Sequence, residues 1–382
     1  MMNSRRQLYA GGALMLLAFG AGLYVAGGLD EFGMQAYSER KMAALESDPP
    51  DAAAPTAPET TAPESTAPET TAPETTAPAK TPRASNDLAG DPPRAELTAA
   101  AARQAPGTVF RPPPESEMPA GEFGDVIRLG REIFVDTPRA APAYVGNSLR
   151  CVSCHLDAGR LADSSPMWAA FVSYPAYRSK TRSVSTFQQR LQGCFEYSMN
   201  GRAPPLGAPE LVALESYAYW LAAGAPLDPN IAGRGYPALD EPAQAPDFAR
   251  GEQVYAENCA LCHGPDGAGQ RTPDGYAVFP PLWGPDSFNW GAGMGRISNA
   301  AAFIKANMPL GLPGTLTDQQ AWDVALYMNS HERPQDPRFT GSVQGTRQQF
   351  HATEDSLYGR EVAGKVLGAS GPPKPFEPRG RR

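Results

Sequence analysis

Two five-residue segments constrain this chain more than anything else in it: CVSCH at 151–155 and CALCH at 259–263. Both fit C-x-x-C-H, in which two cysteines add across the vinyl groups of a haem and the adjoining histidine is placed to ligate its iron. With five cysteines and four histidines in 382 residues, chance supplies only ~7 × 10⁻⁴ such matches. A redox dithiol or a zinc site has no need of an adjoining histidine in both copies. The pair predicts two covalently bound haem c groups, one on Cys151, Cys154 and His155, the other on Cys259, Cys262 and His263.

The two motifs have similar settings. Before the first, DVIRLGREIFVDT (125–137) places Val126, Ile127, Leu129, Ile133, Phe134 and Val135 at helical spacing, and before the second DFARGEQVYAENC (247–259) turns Phe248, Val254 and Tyr255 inward. After each come long loops and a final helix, LVALESYAYWLAAG (211–224) and DQQAWDVALYMNS (318–330). The expected fold is all-α: two cytochrome c domains in tandem, one at 109–235 and one at 236–340, joined through the proline-rich stretch 225–246.

What precedes them is of another kind. Arg5 and Arg6 are followed by an uncharged apolar stretch over 7–29, which reads as a membrane-targeting helix, an uncleaved anchor in preference to a cleaved signal. The arginines stay on the cytoplasmic side, which places the remainder in the periplasm. A twin-arginine export signal is disfavoured, because haem attachment outside the membrane requires an unfolded passenger. Residues 30–108 hold a pentad repeat, TAPET and its variants over 56–80, whose prolines block helix and sheet and whose Thr, Ala and Glu cannot support a core. It reads as a disordered stalk. At the other end, 341–382 form a tail in which YGREVAGKVLG (358–368) reads as one short helix. The net charge of −8 excludes a nucleic-acid binder, whose footprint is a basic excess.

Each iron keeps a sixth position, which Met or His fills in an electron carrier. His331 and His351 lie in polar surroundings near the carboxyl end and read as solvated. For the second haem Met308, in IKANMPLG, precedes a stiffening proline and is favoured over Met294 and Met328; Lys305 is a competitor if the loop moves. The first haem has two candidates in FQQRLQGCFEYSMNG (187–201), Cys194 and Met199. Periodicity alone admits either. The cysteine gains weight because it is an unpaired thiol in an oxidising compartment. On a helix Arg190, Cys194 and Ser198 share one face, and Arg178, Lys180 and Arg182 make the region basic within an acidic chain, which suits a small anionic substrate.

The segments YVGNSLRCVSCHLDAG (144–159), YPAYRSKTR (174–182) and RLQGCFEYSMNG (190–201), with a second haem domain ending in a Met-Pro loop, resemble the thiosulfate dehydrogenase family of periplasmic dihaem cytochromes c. The resemblance covers residues 120–340. It implies that His155 and Cys194 ligate the catalytic haem, that His263 and Met308 ligate the electron-exit haem, and that Arg190, Ser198 and one cation from Arg178, Lys180 or Arg182, taken as Arg182, bind substrate. It further implies oxidation of two thiosulfates to tetrathionate, or the reverse, with electrons passed to an external redox acceptor such as a cytochrome or a membrane carrier. Some members have lysine immediately before the distal methionine; here it is Asn307. Two alternatives compete: a membrane-tethered dihaem shuttle, which requires Met199 on the first iron, and a haem subunit that conjugates thiosulfate to a carrier protein.

Overall fold

Glycine sets the framework of both halves. In the computed structural model, which describes residues 109–378 apart from Ser179 and Pro229, helix α1 (Gly121–Val135) crosses a later helix, Pro209–Leu221, and the pair carries the first half. A Cβ on Gly130 would lie 2.0 Å from the carbonyl oxygen of Ala213 and 2.8 Å from Cβ of Tyr217, so only glycine permits this approach. Between these helices come α2 (Met167–Val172) and α3 (Phe187–Gly193), which makes Pro209–Leu221 α4. In the second half α5 (Phe248–Asn258), α6 (Ile297–Asn307) and α7 (Asp318–Asn329) follow. Here α5 crosses α7 in the same way, with a Cβ on Gly251 falling 2.1 Å from the Asp323 carbonyl oxygen and 2.8 Å from Cβ of Tyr327. The side chains of Asp247 and Thr317 cap α5 and α7 by accepting from Arg250 N and Gln320 N.

The expectation of two helical domains holds, and its helix ends fall within a few residues of those observed. All-α does not hold in full. Three two-stranded antiparallel hairpins are present: β1 (Ala176–Arg178) with β2 (Ser183–Ser185), β3 (Gln270–Arg271) with β4 (Ala277–Phe279), and β5 (Glu361–Val362) with β6 (Lys365–Val366). The last lies where one helix was expected. Ala363 and Gly364, at φ 49° and 77°, form the two-residue turn between its strands, a left-handed pair that helix continuation forbids and a hairpin requires.

The domains share their interiors. Phe288 and Ala292 join the core of the first half, built on Trp168, Phe134 and Tyr217, while Leu156 and Leu161 join the core of the second. The tail closes over the second half. Helix α8 (Val343–Phe350) leads into Leu357, Tyr358 and Leu367, all buried in the second core, and Gln335 donates to the carbonyls of Gly368 and Gly371 at 2.8 Å. The expected anchor and stalk, 1–108, lie outside the described residues. Among the described residues no helix is long and apolar enough to cross a membrane.

Candidate active site

The two attachment motifs fold alike. His155 N donates to Cys151 O at 3.0 Å and His263 N to Cys259 O at 2.9 Å, so one helical turn brings each histidine back over its first cysteine. His155 Nδ1 donates to Ser165 O at 2.6 Å and His263 Nδ1 to Pro280 O at 2.9 Å. That leaves Nε2 of each ring as the free lone pair, the arrangement of a metal-ligating imidazole oriented by a backbone carbonyl. Burial pulls His155 down to about 4 and lowers His263 too, which keeps both rings in the neutral form a metal requires. A cavity of 1220 Å³ is lined by Cys259, Cys262, His263 and Met308 together with Phe303, Ile304 and Val324, and reaches Cys154 and Leu156 of the first motif. Paired thiols, a presented Nε2 and an apolar crevice fit a covalently held macrocycle.

Opposite His155 the chain departs from regular helix. Thr186 caps α3 in a reciprocal box with Gln189, and α3 then widens into a π-helical turn over Cys194–Ser198, closed by Met199 N donating to Cys194 O at 2.9 Å. Cys194 lines a second cavity of 440 Å³ together with His155, Arg178, Lys180, Arg190 and Arg234, and among the described residues no carboxylate lines it. Arg190 Nη1 donates to Cys194 Sγ at 2.9 Å. The thiol group beside it raises the Arg190 pKa against the opposing effect of burial, whereas Arg178 is lowered by burial and then by Arg190. Burial, and then Arg338, push Lys180 down to about 7. Its ammonium donates to Gly291 O at 2.6 Å and sits 3.4 Å over the Tyr197 ring, although the residue as a whole is exposed.

Two expected members of this site stand elsewhere. Ser198 does not line the cavity; it is the last residue of the π-turn. Its carbonyl accepts from Asn147 at 2.8 Å. Arg182 is exposed in the turn of the β1–β2 hairpin, at φ 51°, and does not line the cavity either; Arg178, paired in register with Ser183, and Lys180 do. Met199 is 4% exposed and packed in the first core, outside the cavity. Arg234, in the segment Gly233–Arg234–Gly235, was missed by sequence reading; a lone arginine between glycines carries no signal until folding brings it to the cavity.

On the second side Met308 follows α6 in an extended conformation and lines the large cavity, as do Met294 and Met328. Met328 is buried in α7 as packing. Lys305, the expected competitor, donates to Leu316 O at 2.8 Å and pairs with Asp318 at 2.9 Å. Asn307 is fully buried, with Nδ2 reaching Phe303 O and, across the domain boundary, Asp163 O at 3.1 Å. Neither remaining histidine is solvated as expected. His331 stacks on Trp283 with centroids 4.1 Å apart and donates to Tyr327 O, while His351 is buried between Asp336 and Ser356 and stacked on Tyr358.

Residues 144–227 match the family described as SoxA/TsdA, cytochrome c domain, and residues 246–328 match the family described as cytochrome C oxidase, cbb3-type, subunit III. The chain is 58% identical over 296 residues to a thiosulfate dehydrogenase of Thiomonas intermedia, covering 76% of this chain and 93% of that one. It is 52% identical over 277 residues to a thiosulfate dehydrogenase of Stutzerimonas stutzeri, covering 72% and 90%. A solved structure, thiosulfate dehydrogenase (TsdBA) from Marichromatium purpuratum as isolated, superposes with a TM-score of 0.66 at 53% identity, over 70% of this chain; the chain spans 59% of that longer one. Two cytochrome c domains, each with its attachment motif, bind two covalently held c-type haems. The chain belongs to the thiosulfate dehydrogenase family.

Proposed function

We propose that this protein oxidises two thiosulfates to tetrathionate at Cys194. The observation that carries the reading is the thiol and its cations in one cavity: Cys194 faces Arg178, Lys180, Arg190 and Arg234 there, with no acidic lining residue among the described residues. Two dianions repel each other, and a partly desolvated cluster of cations offsets that repulsion where their sulfurs must meet. Arg190 Nη1, 2.9 Å from Cys194 Sγ, puts a positive charge beside the sulfur that reacts.

The reaction divides at Cys194. Cys194 Sγ and the terminal sulfur of the first thiosulfate form an S–S bond and two electrons leave. The terminal sulfur of the second thiosulfate then attacks the same thiosulfate sulfur; the bond to Sγ breaks, tetrathionate departs and the Cys194 thiolate returns. His155 and Cys194 would hold the first haem iron, and His263 and Met308 the second. When bound, the haems supply the one-electron acceptors by which the two electrons leave toward an external carrier. The family and the export features support a periplasmic setting for this chemistry, with the segment 7–29 read as tether or cleaved signal.

Replacing Cys194 by glycine tests the reading. Thiosulfate-dependent turnover is expected to fall by roughly 10³-fold or more, with loss of the thiolate signature in the electron paramagnetic resonance spectrum. Intact turnover would overturn it. The shuttle alternative has no support in the geometry, since Met199 lies in the core and outside the cavity.

A further inference from the structure

Arg234 has an exposed side chain that nonetheless lines the Cys194 cavity, so it stands at the rim. Its backbone is held unusually firmly for a linker residue. Asp163 N donates to Gly233 O and Ser165 N to Gly235 O, both at 2.7 Å, so the bonds pin the linker on each side of Arg234. Gly233 and Gly235 are at φ 78° and 67°, and a Cβ on Gly233 would fall 2.7 Å from Cβ of Ala162. Both glycines are therefore required by conformation, the first also by close packing. The loop they are tied to carries Ser165, whose carbonyl orients His155. Arg234 is thus fixed relative to the proximal ligand of the catalytic centre, on a segment that a connection between domains has no need to order so tightly.

The charges in the cavity point the same way. Arg190 is committed to Cys194 Sγ and Lys180 to Gly291 O and the Tyr197 ring. Four cations line the cavity against the three negative charges of a Cys194–thiosulfate adduct and an incoming dianion, and among the described residues no lining acid competes for them. We infer that Arg234 is a substrate-binding residue for the second thiosulfate: it receives the incoming dianion at the rim and holds it while its terminal sulfur attacks the Cys194 adduct. In that step an S–S bond forms between the two thiosulfates, the bond to Cys194 Sγ breaks, and no electron is transferred. The assignment rests on the two-step reading at Cys194 given above.

The holoenzyme with Arg234→Gln and Arg234→Lys tests it. The glutamine variant is expected to raise half-saturating thiosulfate about tenfold and to flatten the ionic-strength dependence of kcat/KM, since a rim charge acts mainly through association and its salt dependence. The lysine variant should recover most of both. Acid-quenched samples at low thiosulfate, read by mass spectrometry, should show more Cys194-linked thiosulfate in Arg234→Gln than in wild type, while single-turnover haem reduction at saturating thiosulfate stays within twofold. Wild-type half-saturation and salt dependence in Arg234→Gln, with the adduct present in both proteins, overturn the Arg234 assignment alone. Haem reduction slowed as much as turnover overturns it as well, by placing Arg234 at the first thiosulfate. A wild-type enzyme that turns over with no adduct at any thiosulfate concentration overturns the covalent reading on which it rests.

Discussion

The two halves begin as near copies and end as opposites. Each crosses two helices at a glycine, Gly130 against Ala213 and Gly251 against Asp323, and each fixes its motif histidine through Nδ1 to a backbone carbonyl. They part on the distal side. In the first half α3 widens into a π-turn that sets Cys194 among cations in its own cavity. In the second, α6 runs regularly to Asn307 and delivers Met308, with the nearby cation Lys305 tied to Leu316 and Asp318. On the reading proposed above, the scaffold shared by both serves electron transfer, and one local change in helix geometry separates a reacting centre from a relay.

The strongest way to break this contrast is to make the first half resemble the second. Cys194→Met offers a thioether in place of the thiol and removes the atom proposed to bond thiosulfate. Turnover is expected to fall by roughly 10³-fold, while both haems remain covalently attached and reducible by dithionite. A variant that keeps turnover would remove the chemical basis of the division. The shared framework is tested by Gly130→Ala and Gly251→Ala. Each added methyl meets a backbone oxygen at close to 2 Å, and each should cost about 3 kcal/mol in stability by denaturant titration. Equal losses would confirm that the two crossings are equivalent; a loss confined to one would show that the halves differ in framework as well as in chemistry.

A smaller effect separates neighbours in one hairpin. Arg178 lines the Cys194 cavity and Arg182 does not. Arg178→Gln should lower kcat/KM for thiosulfate about tenfold, as loss of one charge-assisted contact does, and Arg182→Gln should leave it within twofold. The reverse result would restore Arg182 to the site and require the hairpin turn to rearrange on substrate binding.

What could be read from the sequence follows a physical division. The attachment motifs, the crossing helices and the choice of Cys194 and Met308 as candidates depend on local spacing, composition and the family resemblance, and sequence carries all of these. Grouping Ser198 with Arg190 and Cys194 assumed a regular helix, and nothing in FQQRLQGCFEYSMNG marks the passage to a π-turn that ends at Ser198. Arg182 was preferred to Arg178 and Lys180 because three cations within five residues cannot be ranked until strand register decides which face the cavity. Arg234 lies 40 residues beyond Cys194 in the chain and reaches it only through the rungs to Asp163 and Ser165. The tail hairpin carried no comparable signal: its strands pair Glu361–Val362 with Lys365–Val366, where Glu and Lys are poor strand formers, and Ala-Gly is not among the dipeptides that mark a two-residue hairpin turn.

The subtlest expected effect concerns Lys180, the one cavity cation pushed down to a pKa of about 7. Burial is the main cause and Arg338 the next, with Arg190 and Arg178 adding to it, while Asp336 opposes them. The sign follows directly. In the free enzyme the ammonium is charged below that value and loses its charge as pH rises through it, so the cavity becomes less attractive to a dianion at higher pH. Bound thiosulfate opposes this by stabilising the charged form. The expected outcome is a kcat/KM for thiosulfate that falls a few-fold between pH about 6 and about 8, with little change in the limiting rate. Lys180→Arg should flatten that fall, because a guanidinium stays charged throughout, and Lys180→Gln should flatten it at the lower plateau. The second domain offers an internal control: Lys305 is no part of the thiosulfate cavity, so Lys305→Gln should leave the pH profile unchanged. A profile unaltered in both Lys180 variants would move the titrating group elsewhere and leave Arg178, Arg190 and Arg234 as the cations that matter, which would sharpen the contrast between the halves to permanently charged groups alone.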